Sequence, residues 1–312
     1  MKVLIVGGAG FIGSSLTKKL LSDNYEVLVI DKLSLGSRNN LNNTPIKFYE
    51  MDINDTSAVL SALGTNPEID EIWHLAANSD ISAGVNDINI DLNDTFMSTF
   101  SILEIMKKIN CKVINFASSS AIYGINKNRL NENIGPLFPI SHYGAMKLSS
   151  EALISSSLES FLERANIYRF PNVVGVPATH GVILDLIKKL KINKKELNVL
   201  GNGMQQKTYL HVSELIEAMI FINKNSKQIL NFFNIGAMDD GITVKDIAEE
   251  VVRVVSPNAK IKYQSSDRGW VGDVPKFIYS IEKIKKLGWS PRMSSYDAVK
   301  KAILEIANQE GF

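Results

Sequence analysis

The fold turns on one stretch, Lys2-Val3-Leu4-Ile5-Val6-Gly7-Gly8-Ala9-Gly10-Phe11-Ile12-Gly13. A short apolar run ends in glycine, and beyond it Ile12, Leu16, Leu20 and Leu21 recur at helical spacing. That order reads as strand, tight turn, helix. Gly7, Gly10 and Gly13 allow the turn, a close backbone approach by phosphate, and close packing of helix on strand. The free N–H groups and positive dipole end of the helix then suit a pyrophosphate. A glycine triplet alone is a weak signal, and its place between strand and helix makes it a strong one. Lys2 before an apolar run also has the order of a secretion signal. The run is short, however, and Asp23 and Glu26 soon follow, so a buried strand is expected.

Working outward, the same alternation continues. Strands are expected at 2–6, 27–30, 46–49, 71–75, 113–116 and 167–170. Helical patterns lie between them, one through Phe96, Phe100, Leu103, Met106 and Ile109. Strands alternating with helices predict an α/β fold with a doubly wound parallel sheet, covered on both faces. After Phe170 the rhythm changes, with Pro171, Pro177 and several glycines breaking the chain. Further elements are expected at 183–195, 230–235, 243–255, 260–263 and 296–306. The lysines from Lys188 to Lys195 are expected to form a solvated helix face and not a nucleic-acid patch.

Composition supports a packed globular chain, long enough for one large domain or two modest ones. Of 312 residues, 45% are hydrophobic and 21% charged, which excludes a disordered chain. A net charge of +1 supplies no global field for nucleic acid or an anionic membrane. No stretch approaches the roughly 20 apolar residues of a membrane span. Cys111 is the lone cysteine, so no internal disulfide and no cysteine-rich metal site can form, and a reducing, cytoplasmic setting is expected.

The candidate reactive residues follow from the expected strand ends. Asp31 closes the second strand, where a carboxylate accepts hydrogen bonds from both hydroxyls of an adenosine ribose and repels a 2′-phosphate. That favours NAD over NADP, although Lys32 and Arg38 offer cations nearby. Asp52 follows the third strand and is placed either to meet adenine or to cap the loop. Tyr143-Gly144-Ala145-Met146-Lys147 puts a phenol and an amine on one helix face. The ammonium is expected to stabilise the phenolate and lower the phenol from its usual pKa of about 10, so that Tyr143 exchanges a proton with a substrate hydroxyl. The fifth strand ends in Ser118-Ser119-Ser120. Hydroxyls there face the crevice used by ligands in open α/β sheets, or tie up the strand end locally.

Together these motifs resemble an extended short-chain dehydrogenase/reductase of the NAD-dependent epimerase/dehydratase family. Within it, the sequence is most similar to UDP-galactose (UDP-glucose) 4-epimerase-like nucleotide-sugar epimerases. The likeness runs through GGAGFIG at Gly7, HLAA at His74, SSSAIYG at Ser118, YGAMK at Tyr143 and NVVG at Asn172. It continues in HGVI at His180, LGNGMQQKTYLHV at Leu200, FNIG at Phe233 and DRGWVGDV at Asp267. It implies a Rossmann-like NAD-binding domain of residues 1–172 with 208–236. A smaller α/β lobe for the nucleotide sugar would comprise 173–207 with 237–312.

The resemblance also implies roles. Ser119, Tyr143 and Lys147 would be catalytic. NAD would be bound by Gly7, Gly10, Phe11, Ile12, Gly13, Asp31, Lys32, Asp52, Ile53, Leu75, Ala76, Ala77, Ser118, Tyr143, Lys147 and Pro171. The substrate would be met by Ser119, Ser120, Tyr143, Asn172, Gly181, Val182, Lys207, Arg268 and Asp273, with no metal. Lys207 stands where arginine is common, Thr95 where an asparagine is usual, and Pro177-Ala178-Thr179 lacks a customary arginine. The activity implied is transient oxidation at C4 of a UDP-linked sugar and its re-reduction on the other face. Dehydratase relatives carry an Asp-Glu pair beside the serine position, and here Ser120-Ala121 follows Ser119. A 4-keto reductase, 4,6-dehydratase or decarboxylase and, beyond these, a non-catalytic nucleotide binder are the alternatives. Relatives are commonly homodimers through paired helices, here 92–109 and the one after Tyr143.

Overall fold

Val3, Leu4, Ile5 and Val6 are wholly or almost wholly buried, so the opening strand is covered on both faces. Each such side chain contributes about 1.5–3 kcal/mol relative to exposure. The computed structural model describes residues 1–126, 129–266 and 279–312. In chain order the first part forms β1 (Lys2–Val6), α1 (Phe11–Ser22), β2 (Glu26–Asp31), β3 (Lys47–Glu50), α2 (Thr56–Leu63), β4 (Glu71–His74), α3 (Ile81–Asn86) and α4 (Ile88–Asp91). A π-helical turn (Leu92–Met97) leads into α5 (Ser98–Lys108), then β5 (Val113–Ser119), α6 (His142–Ser157) and β6 (Arg164–Phe170). Next come β7 (Asn172–Val174), α7 (Val182–Ile192), β8 (Glu196–Val199), β9 (Gln206–Lys207), β10 (Tyr209–His211), α8 (Val212–Asn225) and β11 (Leu230–Asn234). The last elements are β12 (Ile242–Thr243), α9 (Val244–Val255), β13 (Lys260–Tyr263), α10 (Glu282–Leu287) and α11 (Ser295–Gln309).

The chain divides into two units. The first comprises residues 1–124, 137–169 and 218–233, and the second comprises 125–136, 170–217 and 234–312. The first is built on a Rossmann-like seven-stranded sheet in the order β11-β6-β5-β4-β1-β2-β3. β1 pairs in parallel with β2 on one side and β4 on the other. That reversal of strand order opens a crevice at the carboxyl ends of β1 and β4, where α/β sheets bind ligands. Ile102, Ile105 and Met106 of α5 pack into the same core as Leu4, Ile72, Ile114 and Phe116 of the strands.

A band of buried polar side chains crosses this sheet. Glu71 accepts hydrogen bonds from Trp73 Nε1 (3.2 Å) and Asn223 Nδ2 (2.9 Å). Asn166 Nδ2 donates to Asn115 Oδ1 and to Asn223 Oδ1, both at 2.9 Å. Tyr168 donates to Asn115 Oδ1 at 2.6 Å, and Asn231 donates to Asn166 Oδ1 at 3.0 Å.

The second unit has its own core. Leu184, Ile187 and Leu190 of α7, Ile247 and Val251 of α9, and Val299, Ile303 and Ile306 of α11 are buried around Leu197 and Val199 of β8. The helix starts are local sequence features: Thr243 with Asp246, and Ser294 with Asp297, form reciprocal capping boxes. β7 pairs in parallel with β10, β9 antiparallel with β12, and β8 in parallel with β13.

Candidate active site

The turn between β1 and α1 takes its shape from two close approaches. Gly7 adopts φ +83°, a backbone region that strains any side chain, and a Cβ there would lie 2.6 Å from the Ala76 nitrogen. A Cβ on Gly13 would run into the Gly7 carbonyl oxygen, so α1 sits directly on the turn. Gly10 is the N-cap residue, and no side chain caps the helix. A Cβ on Gly10 would meet only the Gly7 oxygen, at 3.4 Å, so glycine keeps the mouth of the helix uncovered. Phe11 and Ile12 form the first turn behind it, with their side chains half-buried. Leu75 and Ala76 both donate their backbone N–H to Val6 O at 2.9 Å, which draws the end of β4, with Ala77 beyond it, beside the turn.

Asp31 fastens the opposite side. Its Oδ2 accepts from the Ala9 N–H (2.9 Å) and its Oδ1 from the Leu33 N–H (2.8 Å), leaving the remaining lone pairs for a ligand. The two nearby cations are already engaged. Lys32 pairs with Asp94 (2.6 Å) and Asp52 (3.3 Å), and Arg38 stacks 3.9 Å over the Phe48 ring. Asp52 also accepts from the Asn54 N–H at 2.9 Å, so it acts as a loop cap while facing Lys32. Ile53 beside it is buried.

The candidate reactive residues meet along the joint between β5 and α6. Three consecutive residues of β5 engage three residues of α6 spaced by four. Tyr143 and Ser119 are hydrogen-bonded through their side chains. Lys147 Nζ donates to Ala117 O at 2.6 Å. Ser118 Oγ donates to Glu151 Oε1 at 2.5 Å. Ser119 Oγ also accepts from the Ala121 N–H, capping the turn that holds Ser120. The Lys147 ammonium lies 4.7 Å from the Phe116 ring centre and 5.8 Å from that of Tyr143.

The electrostatics correct one expectation. Burial pushes the Tyr143 phenol up to about 12, with the Ser119 hydrogen bond acting the other way and Asp91 adding to the rise. Burial also pushes the Lys147 amine down to about 7, opposed by the charge of Glu151. In this structure desolvation therefore outweighs any lowering of the phenol by the lysine. His74, wholly buried, is pushed down to about 3 by burial and then by Lys147.

Several participants gave no sign in the sequence. Glu151 is held bidentately by Arg169, with Nη2 to Oε2 at 2.6 Å and Nε to Oε1 at 3.0 Å, and Arg169 Nη1 donates to Tyr123 Oη at 3.1 Å. Glu151 could have been found by continuing the four-residue spacing of Tyr143 and Lys147. Asn78 anchors the loop after β4, donating to Asp91 Oδ1 (2.8 Å) while its own N–H donates to Thr95 Oγ1 (3.2 Å).

Of the expected substrate residues, Ser119, Ser120 and Tyr143 lie in the first unit, and Asn172, Gly181, Val182 and Lys207 in the second. Asn172, next to Pro171, pairs with Tyr209 in the β7–β10 ladder and donates to Thr208 O at 3.4 Å. Gly181, at φ +105°, is the N-cap of α7, and Val182 is its first residue. Lys207 lies in β9 opposite Ile242. Arg268 and Asp273 fall outside the described residues.

The model of the NAD dependent epimerase/dehydratase family matches residues 3–236, which include the turn and the reactive joint. The chain belongs to this family. Its fold is that of the short-chain dehydrogenase/reductase epimerases, and the family's cofactor is NAD. A crystal structure of a UDP-galactose 4-epimerase superposes with a TM-score of 0.88, at 33% identity, over 100% of both chains. The UDP-glucuronic acid 4-epimerase of Bacillus cereus, solved with UDP-glucuronic acid and NAD, superposes at 0.84 with 26% identity, covering 99% of this chain and 100% of that one. The UDP-glucose 4-epimerase of Lactobacillus helveticus is 29% identical over 96% of this chain and 94% of its own. Other relatives include dTDP-D-glucose 4,6-dehydratases and a UDP-glucuronic acid decarboxylase. The bare mouth of α1 and the carboxylate of Asp31 fit a dinucleotide with free ribose hydroxyls. No helix among the described residues is long and apolar enough to cross a membrane.

Proposed function

We propose that this family enzyme is a nucleotide-sugar 4-epimerase acting on a UDP-linked hexose. The carrying observation is the joint of Ser119, Tyr143 and Lys147 on β5 and α6, with Ser120-Ala121 at the position where a dehydratase would need carboxylates. NAD, when bound, supplies the hydride acceptor for C4. Tyr143, acting as the phenolate once its own proton has passed to solvent, takes at Oη the proton of the 4-hydroxyl and returns it to the epimer. Ser119 orients that hydroxyl through the hydrogen bond it now makes to Tyr143. Lys147, anchored on Ala117 O, adds positive charge beside the phenol as the proton leaves.

Gly7, Gly10 to Gly13, Asp31, Asp52, Ile53 and Leu75 to Ala77 would hold NAD within residues 1–172 and 208–236, with Lys32, Ser118 and Pro171 flanking it. Residues 173–207 and 237–312 would carry the diphosphate and nucleotide through Gly181, Val182, Lys207, Arg268 and Asp273, together with Asn172. We place the enzyme in the cytoplasm as a homodimer, with α5 and α6 as the paired helices. Phe100 on α5 is 44% exposed and offers an apolar contact.

The test is incubation with UDP-glucose, UDP-N-acetylglucosamine and UDP-glucuronic acid, each followed by proton NMR. The expected result is a C4 epimer with no net change in the cofactor. A 4-keto-6-deoxy product, loss of carbon dioxide, or a requirement for added NADH would overturn the proposal in favour of a dehydratase, decarboxylase or reductase.

A further inference from the structure

The side chains behind Lys147 form an arrangement that stability alone does not explain. Glu151 lies one helical turn beyond Lys147, with Arg169 on two of its edges and Ser118 on a third bond. Both charged residues are buried, Glu151 at 6% and Arg169 at 8% exposure. A buried ion pair is often no more stabilising than apolar side chains of the same volume. What it adds here is direction. Arg169 reaches from β6 to fix the carboxylate, and it also holds Tyr123, so the segment from Ser118 to Tyr123 is fastened at both ends.

We propose that the Glu151–Arg169 pair is a positioning element, which clamps the end of β5 onto α6 and sets a fixed negative charge one turn from Lys147. The inference rests on the epimerase proposal only for its kinetic arm. Among the described residues, the other groups facing Lys147 do not supply that charge. Before it ionises, Tyr143 on the same helix is an uncharged phenol whose ionisation burial opposes, and His74 on β4 is held neutral by burial and by Lys147 itself. β5 offers the Ala117 carbonyl and the Phe116 ring. Arg169, from β6, is spent on Glu151 and Tyr123. Glu151 is accordingly the group that opposes the fall in the lysine's proton affinity on burial.

The experiment follows Lys147 directly, by carbon-13 NMR of protein labelled at lysine Cε, the resonance being assigned with Lys147→Arg. In Glu151→Gln the titration midpoint of Lys147 should fall by about one pH unit, and Glu151→Asp should restore most of it. Because a lone Arg169 can unfold the protein, Glu151→Gln/Arg169→Met is measured alongside; it should regain thermal stability while the midpoint stays low. Above that midpoint kcat should drop about tenfold with KM changed less than about twofold. An unchanged midpoint in folded Glu151→Gln, or a double variant with a wild-type midpoint, overturns the proposal. If wild-type protein turns over no nucleotide sugar, the epimerase proposal fails and the NMR midpoint still decides this one.

Discussion

Lys147 Nζ lies 2.6 Å from the Ala117 carbonyl oxygen, so the reactive helix is tied to the strand end that carries Ser118 and Ser119. The same lysine stands 5.8 Å from the centre of the Tyr143 ring. That hydrogen bond helps to hold the amine beside the phenol for which a proton-exchange role is proposed. Tyr143→Phe keeps the ring and removes the proton carrier. Turnover should fall by about 10³-fold while NAD remains bound; kinetics together with release of NAD on denaturation check this, and near-normal turnover would refute the proton role.

Gly13→Ala tests the glycine turn. The new Cβ would collide with the backbone of Gly7 and Gly8, which cannot yield as a side chain can. A loss of about 1–3 kcal/mol of stability is expected, with a weaker hold on NAD. Thermal denaturation of the variant, with and without added NAD, measures both.

Asp31 accepts two backbone N–H groups through its two oxygens. Asn has one acceptor oxygen, so Asp31→Asn leaves one of those amides without its partner at a cost of about 1–3 kcal/mol. It also removes the charge that repels a 2′-phosphate. The ratio of NAD to NADP affinity should drop at least about tenfold, as read by fluorescence titration. An unchanged ratio would show that Lys32 and Arg38, engaged as they are, govern the choice.

His74 makes a pH prediction with a definite sign. Its folded-state value of about 3 lies below the ordinary 6.5, so the unfolded chain takes up the proton first. Stability should fall as pH drops from 6.5 towards 3 and be flat in this respect above 6.5. His74→Gln, which removes the titrating ring, should give a shallower acid slope in urea unfolding than wild type. Parallel slopes would mean that carboxylates alone account for the acid loss.

Much of this was legible in the chain because the chemistry and the periodicity coincide. β1 and β2 carry apolar runs at 3–6 and 27–30, since both their faces are covered, and Gly7 to Gly13 announce the turn. Tyr143 and Lys147 are visible by helical spacing alone. β6 was legible only in its second half. It begins at Arg164, and Asn166 reads as a solvent-facing residue although it is wholly buried. β7 and β10 are three residues each and distant in sequence, so neither has a detectable period. Glu151 and Arg169 resemble surface charges until the tertiary structure brings them together. The upward shift of the Tyr143 phenol depends on burial, a quantity that spacing does not contain.

The buried amides that cross the first sheet act as a proofreading device for its assembly. A strand displaced by one residue turns each side chain to the opposite face. For β6 that would carry Asn166 and Tyr168 away from Asn115 and Asn223 and strand their partners in a dry interior. Each abandoned group costs about 1–3 kcal/mol, so a single slip would forfeit much of the free energy that holds a domain folded. Aliphatic side chains in the same places would tolerate the error far better.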